Sequence, residues 1–222
     1  MTALASALLG AAPAQMDSQV VLARYAAALA RFAPPANVVF TYSVSQAGPH
    51  NIEQLHRIYR SGQRVRDETL AIDGQSLKHK ATRFAQYRDR YSVDRLAPRE
   101  AEYTLLFLSA KREGKHYQYT YEAIPLIRSS AFVVQRLTID GASFLPSSLQ
   151  FRTAREVVQG NGQISYGRIG THWVPTVVQV TATVRGKPAR ERIAFSAYAF
   201  PRRLPLSTFA GPKPLPARAL PH

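Results

Sequence analysis

The sequence predicts a mainly β chain: an antiparallel sheet of many strands with few helices, one of them amphipathic and preceding the first strand. Three observations predict it. Turn signals at Gly48, Gly62 and Gly74 bracket strand-length runs rich in Val, Ile, Tyr, Phe and Thr, the pattern of an antiparallel meander. Of 222 residues, 45% are hydrophobic and 19% charged, which describes a folded chain long enough to bury a core. One stretch alone, near the N terminus, carries a clear helical period.

Residues 1–14 form a short apolar run ending in Ala12-Pro13-Ala14. The run is too short to span a membrane and fits a small-residue cleavage site, but no cation precedes it, so the expectation is a truncated signal peptide. Asp17 and Ser18 are good N-cap residues. Val20, Val21, Tyr25, Ala28, Leu29 and Phe32 then recur at helical spacing, and Pro34-Pro35 stops the helix.

The first strand places Val38, Phe40, Tyr42 and Val44 on one face, because side chains alternate with period two. Two further strands follow, turning at Ser61-Gly62 and Asp73-Gly74. Lys78 to Arg99 reads as a solvated strand pair or loop. Ala101 to Ala110, entered through Ala97-Pro98, reads as a short helix or lid. Strands resume at Lys115. Asp140-Gly141 marks a hairpin, Gly160-Asn161-Gly162 a strand start, and Arg185-Gly186-Lys187-Pro188 another turn. The total is nine to eleven strands. Pro201 to His222 carries six prolines and reads as an extended strap. The implied organisation is residues 1–14 as signal, 15–209 as one domain and 210–222 as a Pro-rich tail.

The formal net charge is +15. Such a surface suits nucleic acid or anionic lipid, but the arginines are scattered and form no run. With no cysteine, disulfides, thiol chemistry and cysteine metal sites are excluded. The sequence holds no nucleophile elbow, phosphate loop or zinc-binding His-Glu-x-x-His, and the histidines lack ligand spacing. No cofactor, metal or enzymatic activity is expected. His56 reads as a strand histidine. Asp67 and Glu68 point to opposite faces and are expected to pair with Arg60, Arg64 or Arg66. Tyr87, Tyr91, Tyr117, Tyr119 and Tyr121 suit base stacking or an apolar groove with polar tips.

Phe40-Thr41-Tyr42, Arg60-Ser61-Gly62, Arg64-Val65-Arg66, the Asp73-Gly74-Gln75-Ser76-Leu77 turn and Trp173-Val174-Pro175 together resemble the outer-membrane lipoprotein carriers of the LolA/LolB-like superfamily. The resemblance implies an incomplete β-barrel around an apolar cavity with helices as a lid. It departs where Ser61 replaces the family's Pro and Asp67 its aromatic residue. The resemblance implies a non-catalytic periplasmic carrier or binder of lipoproteins or lipid acyl chains. It would be a monomer, with membrane-protein donor and acceptor and no nucleic acid partner. Phe40, Tyr42, Val44, Ile58, Val178 and Val180 would contact the acyl chains. Arg60 would gate the lid by bonding its carbonyls, or else reach water from the strand end or pair with Asp67 or Glu68. An envelope-stress or lipid-sensing module of the same fold is the first alternative. A basic nucleic-acid-binding barrel is the second.

Overall fold

The computed structural model describes residues 15–48, 51–86, 90–127, 131–155 and 158–210. Among the described residues eleven antiparallel strands form one sheet. They are β1 (Asn37–Ala47), β2 (Ile52–Ser61), β3 (Arg64–Ile72), β4 (Gln75–Gln86), β5 (Tyr103–Glu113), β6 (His116–Pro125), β7 (Phe132–Asp140), β8 (Pro146–Arg155), β9 (Val158–Ile169), β10 (His172–Val184) and β11 (Lys187–Ala199). Their order is β4-β3-β2-β1-β11-β10-β9-β8-β7-β6-β5. Two meanders are therefore joined through β1 and β11, and β4 and β5 form opposite edges of an open, curved sheet.

This topology dictates where the lid lies. The chain leaves β4 at one edge and must reach β5 at the other, and the described residues 90–102 of that connection lie across the sheet. They cross on the concave side, where Ser92, Val93, Ala97 and Pro98 are buried, and carry the short helix α2 (Val93–Leu96). Beside it lies α1 (Ser18–Arg31), capped by the Asp17 carboxylate, which accepts from the Gln19 and Val20 amides. Its buried face is Val21, Leu22, Tyr25 and Leu29. Val20, expected on that face, is exposed, and Leu22 replaces it.

The main core is the concave face of β6 to β10 closed by α1: Tyr119, Tyr121, Leu137, Ile139, Leu149, Ile164 and Val178 are wholly or almost wholly buried. A second cluster, Val38, Phe40, Ile58 and Val65, lies on the same face of the other half. Tyr42 and Phe195 touch both clusters.

Two expectations are corrected, and one open alternative, strand or loop after Lys78, resolves to strand as far as Gln86. Ala101 to Ala110 is not a helix: residues from Tyr103 onward form β5, paired with β6. The turn at Gly114, with φ of 59°, folds the two strands together, and that pairing overrides a local pattern that fitted either state. Lys78 to Gln86 belongs to edge strand β4, whose exposed Lys78, His79 and Lys80 discourage pairing with another chain; Tyr87 lies outside the described residues. Finally, Gly160-Asn161-Gly162 lies inside β9 rather than before it. A Cβ at Gly162 would meet the Phe151 ring and sit 2.8 Å from the Gln179 carbonyl oxygen, so glycine here makes room for an aromatic ring.

The expected extended strap is corrected in part: residues 201–205 carry no regular structure, but Leu206–Phe209 forms a 3-10 helix. Asn37 Nδ2 donates to the Arg202 carbonyl and Arg66 Nη1 to that of Thr208, holding residues 201–210 against β1 and β3. Residues 1–14 and 211–222 lie outside the described residues.

Gly162→Ala should overpack the core and cost about 1–3 kcal/mol. For a chain of this size each kcal/mol lowers Tm by about 2–4 °C, which calorimetry would read.

Candidate functional site

The alternation of β1 and the registers of its neighbours set out the concave face of the first meander. Val38 is paired with Arg60, Phe40 with Ile58, Tyr42 with His56 and Val44 with Gln54. On β3, Val65 lies opposite Arg60 and Asp67 opposite Ile58. On the other side Tyr42 meets Phe195 and Val44 meets Ile193, which in turn meets Val178. All seven residues predicted from the sequence thus share one face. Phe40, Ile58 and Val178 are buried; Tyr42, Val44 and Val180 are half-buried. Val178 is sealed in the main core, whereas Phe40 and Arg60 line a cleft.

The cleft lies where the segment after α1 meets the sheet. Phe32, Pro34 and Pro35 form one wall, Val38, Phe40 and Arg60 the floor, and Tyr91, Ser92, Trp173, Val174, Pro175, Phe195 and Tyr198 the rest. Its volume is about 30 Å³, room for roughly two waters. Tyr198 reaches it through an irregularity. Ala197 adopts φ of 51° where the β1–β11 register slips between Val39 and Thr41. The extra residue brings Phe195 and Tyr198, three apart, onto one face. Tyr198 stacks on Phe40 at 5.1 Å and donates to the Pro175 carbonyl at 2.7 Å.

Arg60 is 8% exposed. Its Nη2 donates to the Pro35 carbonyl at 2.9 Å, and its Nε is buried with no acceptor. The expected partners are engaged elsewhere. Glu68 takes Arg66 and Lys80 on the opposite face. Asp67 accepts from Tyr42 Oη at 3.1 Å and lies 3.0 Å from His56 Nδ1. His56 also faces the Gln54 amide at 3.1 Å and stacks on Tyr42 at 4.7 Å. This Tyr42–His56–Asp67 cluster was legible in principle: a two-residue turn at Gly62-Gln63 puts Asp67 diagonally across from His56. Among the described residues no group of three or more His, Cys, Asp or Glu side chains is placed to hold a metal.

The tyrosines serve the lid. Tyr25 Oη donates to the Pro98 carbonyl at 2.8 Å, joining α1 to the crossover. Tyr121 Oη donates to the Ser18 carbonyl at 2.9 Å, and Tyr119 Oη accepts from the Met16 amide at 3.0 Å. Tyr119 and Tyr121 are 1% and 0% exposed, so these rings are not available to stack on bases. Burial raises the phenol pKa of Tyr25, Tyr42, Tyr91 and Tyr121, that of Tyr121 to about 12. At Tyr42 the Asp67 carboxylate adds to the effect of burial.

No protein-family model matches the chain, and no curated protein matches it. Among solved structures it is similar to a LolA superfamily protein from Nitrosomonas europaea, at 12% identity over 89% of this chain and 99% of that one, with a TM-score of 0.46. A domain from Vibrio parahaemolyticus assigned to outer membrane lipoprotein sorting shares 12% identity over 87% of this chain and 97% of its own, with a TM-score of 0.49. A DUF1329 family protein from Desulfovibrio piger shares 9% over 86% and 96%, with a TM-score of 0.47.

A phenol whose pKa is raised on folding contributes stability fully present below its unfolded pKa of 10.0 and lost as pH rises through its folded value. Denaturant midpoints should therefore hold up to about pH 10 and fall toward pH 12. Tyr121→Phe should lose about 1 kcal/mol at neutral pH with its bond to Ser18 and show a shallower alkaline decline.

Proposed function

We infer that this chain is a non-catalytic, extracytoplasmic binder or carrier of acyl chains, whether of lipoproteins or of free lipids. One observation carries the reading. The apolar concave face of an open sheet is covered by two helices, and the segment leaving α1 is tied to that face by the hydrogen bond from the buried Arg60 to Pro35, followed by the backbone bond from Gly62 to Ala36. A volume of about 30 Å³ admits no acyl chain, so cargo enters by lifting this cover. Phe40, Ile58 and Tyr42 would meet the chain first, then Val44, Val178 and Val180 as α1 moves away.

The magnitudes favour partial burial. Each buried methylene contributes about 0.8 kcal/mol, so a fully buried sixteen-carbon chain contributes roughly 13 kcal/mol. Such a chain would be held too tightly for easy release, even after ordering costs. Breaking the Arg60–Pro35 bond to open the cover opposes loading, which brings affinity into a releasable range. Among the described residues no helix is long and apolar enough to cross a membrane. The apolar run before Ala12-Pro13-Ala14 supports export, with residues 1–14 removed and the domain beginning near Gln15.

Lipid-free protein should bind a fluorescent fatty acid saturably, and a lipopeptide should displace it. Arg60→Leu should keep the circular dichroism of the wild type while changing the rate of chain release. Unchanged release would make Arg60 a structural residue. N-terminal sequencing of envelope material from the native host should begin at or next to Gln15; an intact Met1 terminus would defeat the export reading.

A further inference from the structure

At Arg60 buried donors outnumber acceptors. The residue is more than nine-tenths buried, and its Nε is among the buried atoms. Nη2 has the Pro35 carbonyl, and Nε has nothing. Among the described residues no carboxylate lies within salt-bridge distance of it. Its cross-strand neighbours are Val38 and Val65, and the cleft beside it is walled by aromatic rings and prolines. An unpaired buried cation is costly, and a single neutral carbonyl compensates it poorly.

The geometry of the donors is specific. Nε and Nη2 lie along one edge of the planar fork, spaced to receive two oxygens of a single carboxylate or phosphate. Of these two nitrogens, Nη2 donates to the Pro35 carbonyl and Nε is unpaired. We propose that Arg60 is a head-group site, and that the ligand is an anionic amphiphile whose carboxylate or phosphate takes the Nε–Nη2 edge while its tail lies over Phe40 and Ile58. This rests on the acyl-binding reading above and adds the chemical class of the ligand.

The proposal also gives the opening a cause. An anion seated on both donors displaces the Pro35 carbonyl, which passes to water. Nε gains the acceptor it lacks, and the charge gains a counterion. Head-group capture and release of the segment after α1 are therefore one exchange. A neutral head group offers no counterion and leaves the closed arrangement favoured.

The test uses the full chain stripped of lipid and measures the binding of hexadecanoate, hexadecyl phosphate and hexadecanol by titration calorimetry, with acetate and inorganic phosphate as tail-free controls. Wild type should bind both anionic amphiphiles at least about tenfold more tightly than the alcohol. Arg60→Gln should bind all three alike, and Arg60→Lys should keep part of the preference. The better of the two anionic ligands distinguishes a fatty-acid carboxylate from a phosphate head group. Equal binding of all three by wild type overturns the head-group site and leaves acyl binding standing, whereas binding of none overturns both. A preference that survives in Arg60→Gln, or acetate or phosphate binding as tightly as its amphiphile, also overturns the proposal. The coupling is read in wild type alone. Amide exchange at residues 36–38 should quicken with hexadecanoate and not with hexadecanol; no difference between the two overturns it.

Discussion

The pairing of β1 with β11 is the constraint on which the rest of the molecule depends. It joins two meanders from opposite ends of the chain, Tyr42 to Phe195 and Val44 to Ile193, and so pushes β4 and β5 to opposite edges. Once those edges are far apart, the connection between them must cross a face of the sheet. The concave face takes it because Val93, Ala97 and Pro98 find apolar partners there. The lid is thus a consequence of strand order: the chain has no other way from β4 to β5.

Covering a concave apolar face with helices raises a difficulty that polar side chains resolve. Helix ends and loop carbonyls that come down onto such a face lose water and need partners. Tyr25, Tyr119 and Tyr121 supply them at the carbonyl of Pro98, the amide of Met16 and the carbonyl of Ser18, each bringing a large apolar ring with the hydroxyl. Arg60 does the same for Pro35, but with a charge and a donor left over. The tyrosine ties are neutral and complete. The arginine tie is charged and, at Nε, incomplete.

The two halves of the concave face also differ in how firmly they are filled. Under α1 the side chains from β6 to β10 are sealed, with Leu137, Ile139, Leu149, Ile164 and Val178 fully buried. On the first meander the apolar patch of Val38, Phe40, Ile58 and Val65 gives way to the hydrogen-bonded Tyr42–His56–Asp67 cluster. A polar cluster of this kind keeps its members in fixed positions, which makes that half a defined surface beside the cleft. The cleft lies against its apolar end, between Arg60 and Phe40.

Much of this was legible in the sequence because it depends on neighbours a few residues apart. Strand runs, the turn at Asp73-Gly74, the capped helix ended by Pro34-Pro35 and the shared face of Phe40, Tyr42, Val44, Ile58 and Arg60 all follow from periods of 2 and 3.6 and from turn chemistry. The LolA-like motifs likewise implied the open, curved sheet. What the tertiary structure decided depends on residues far apart in the chain. Tyr103 to Glu113 is a strand because β6 folds back on it. Gly162 is a strand glycine because the Phe151 ring lies over it. Tyr198 reaches the cleft because Ala197 bulges against β1. Arg60 bonds Pro35, and not Asp67 or Glu68, because those carboxylates are already taken by His56, Tyr42, Arg66 and Lys80. Local preferences of a few tenths of a kcal/mol per residue set the first group. Burial and satisfied polar pairs, worth one to several kcal/mol each, set the second, and they exist only once the chain has closed β11 onto β1.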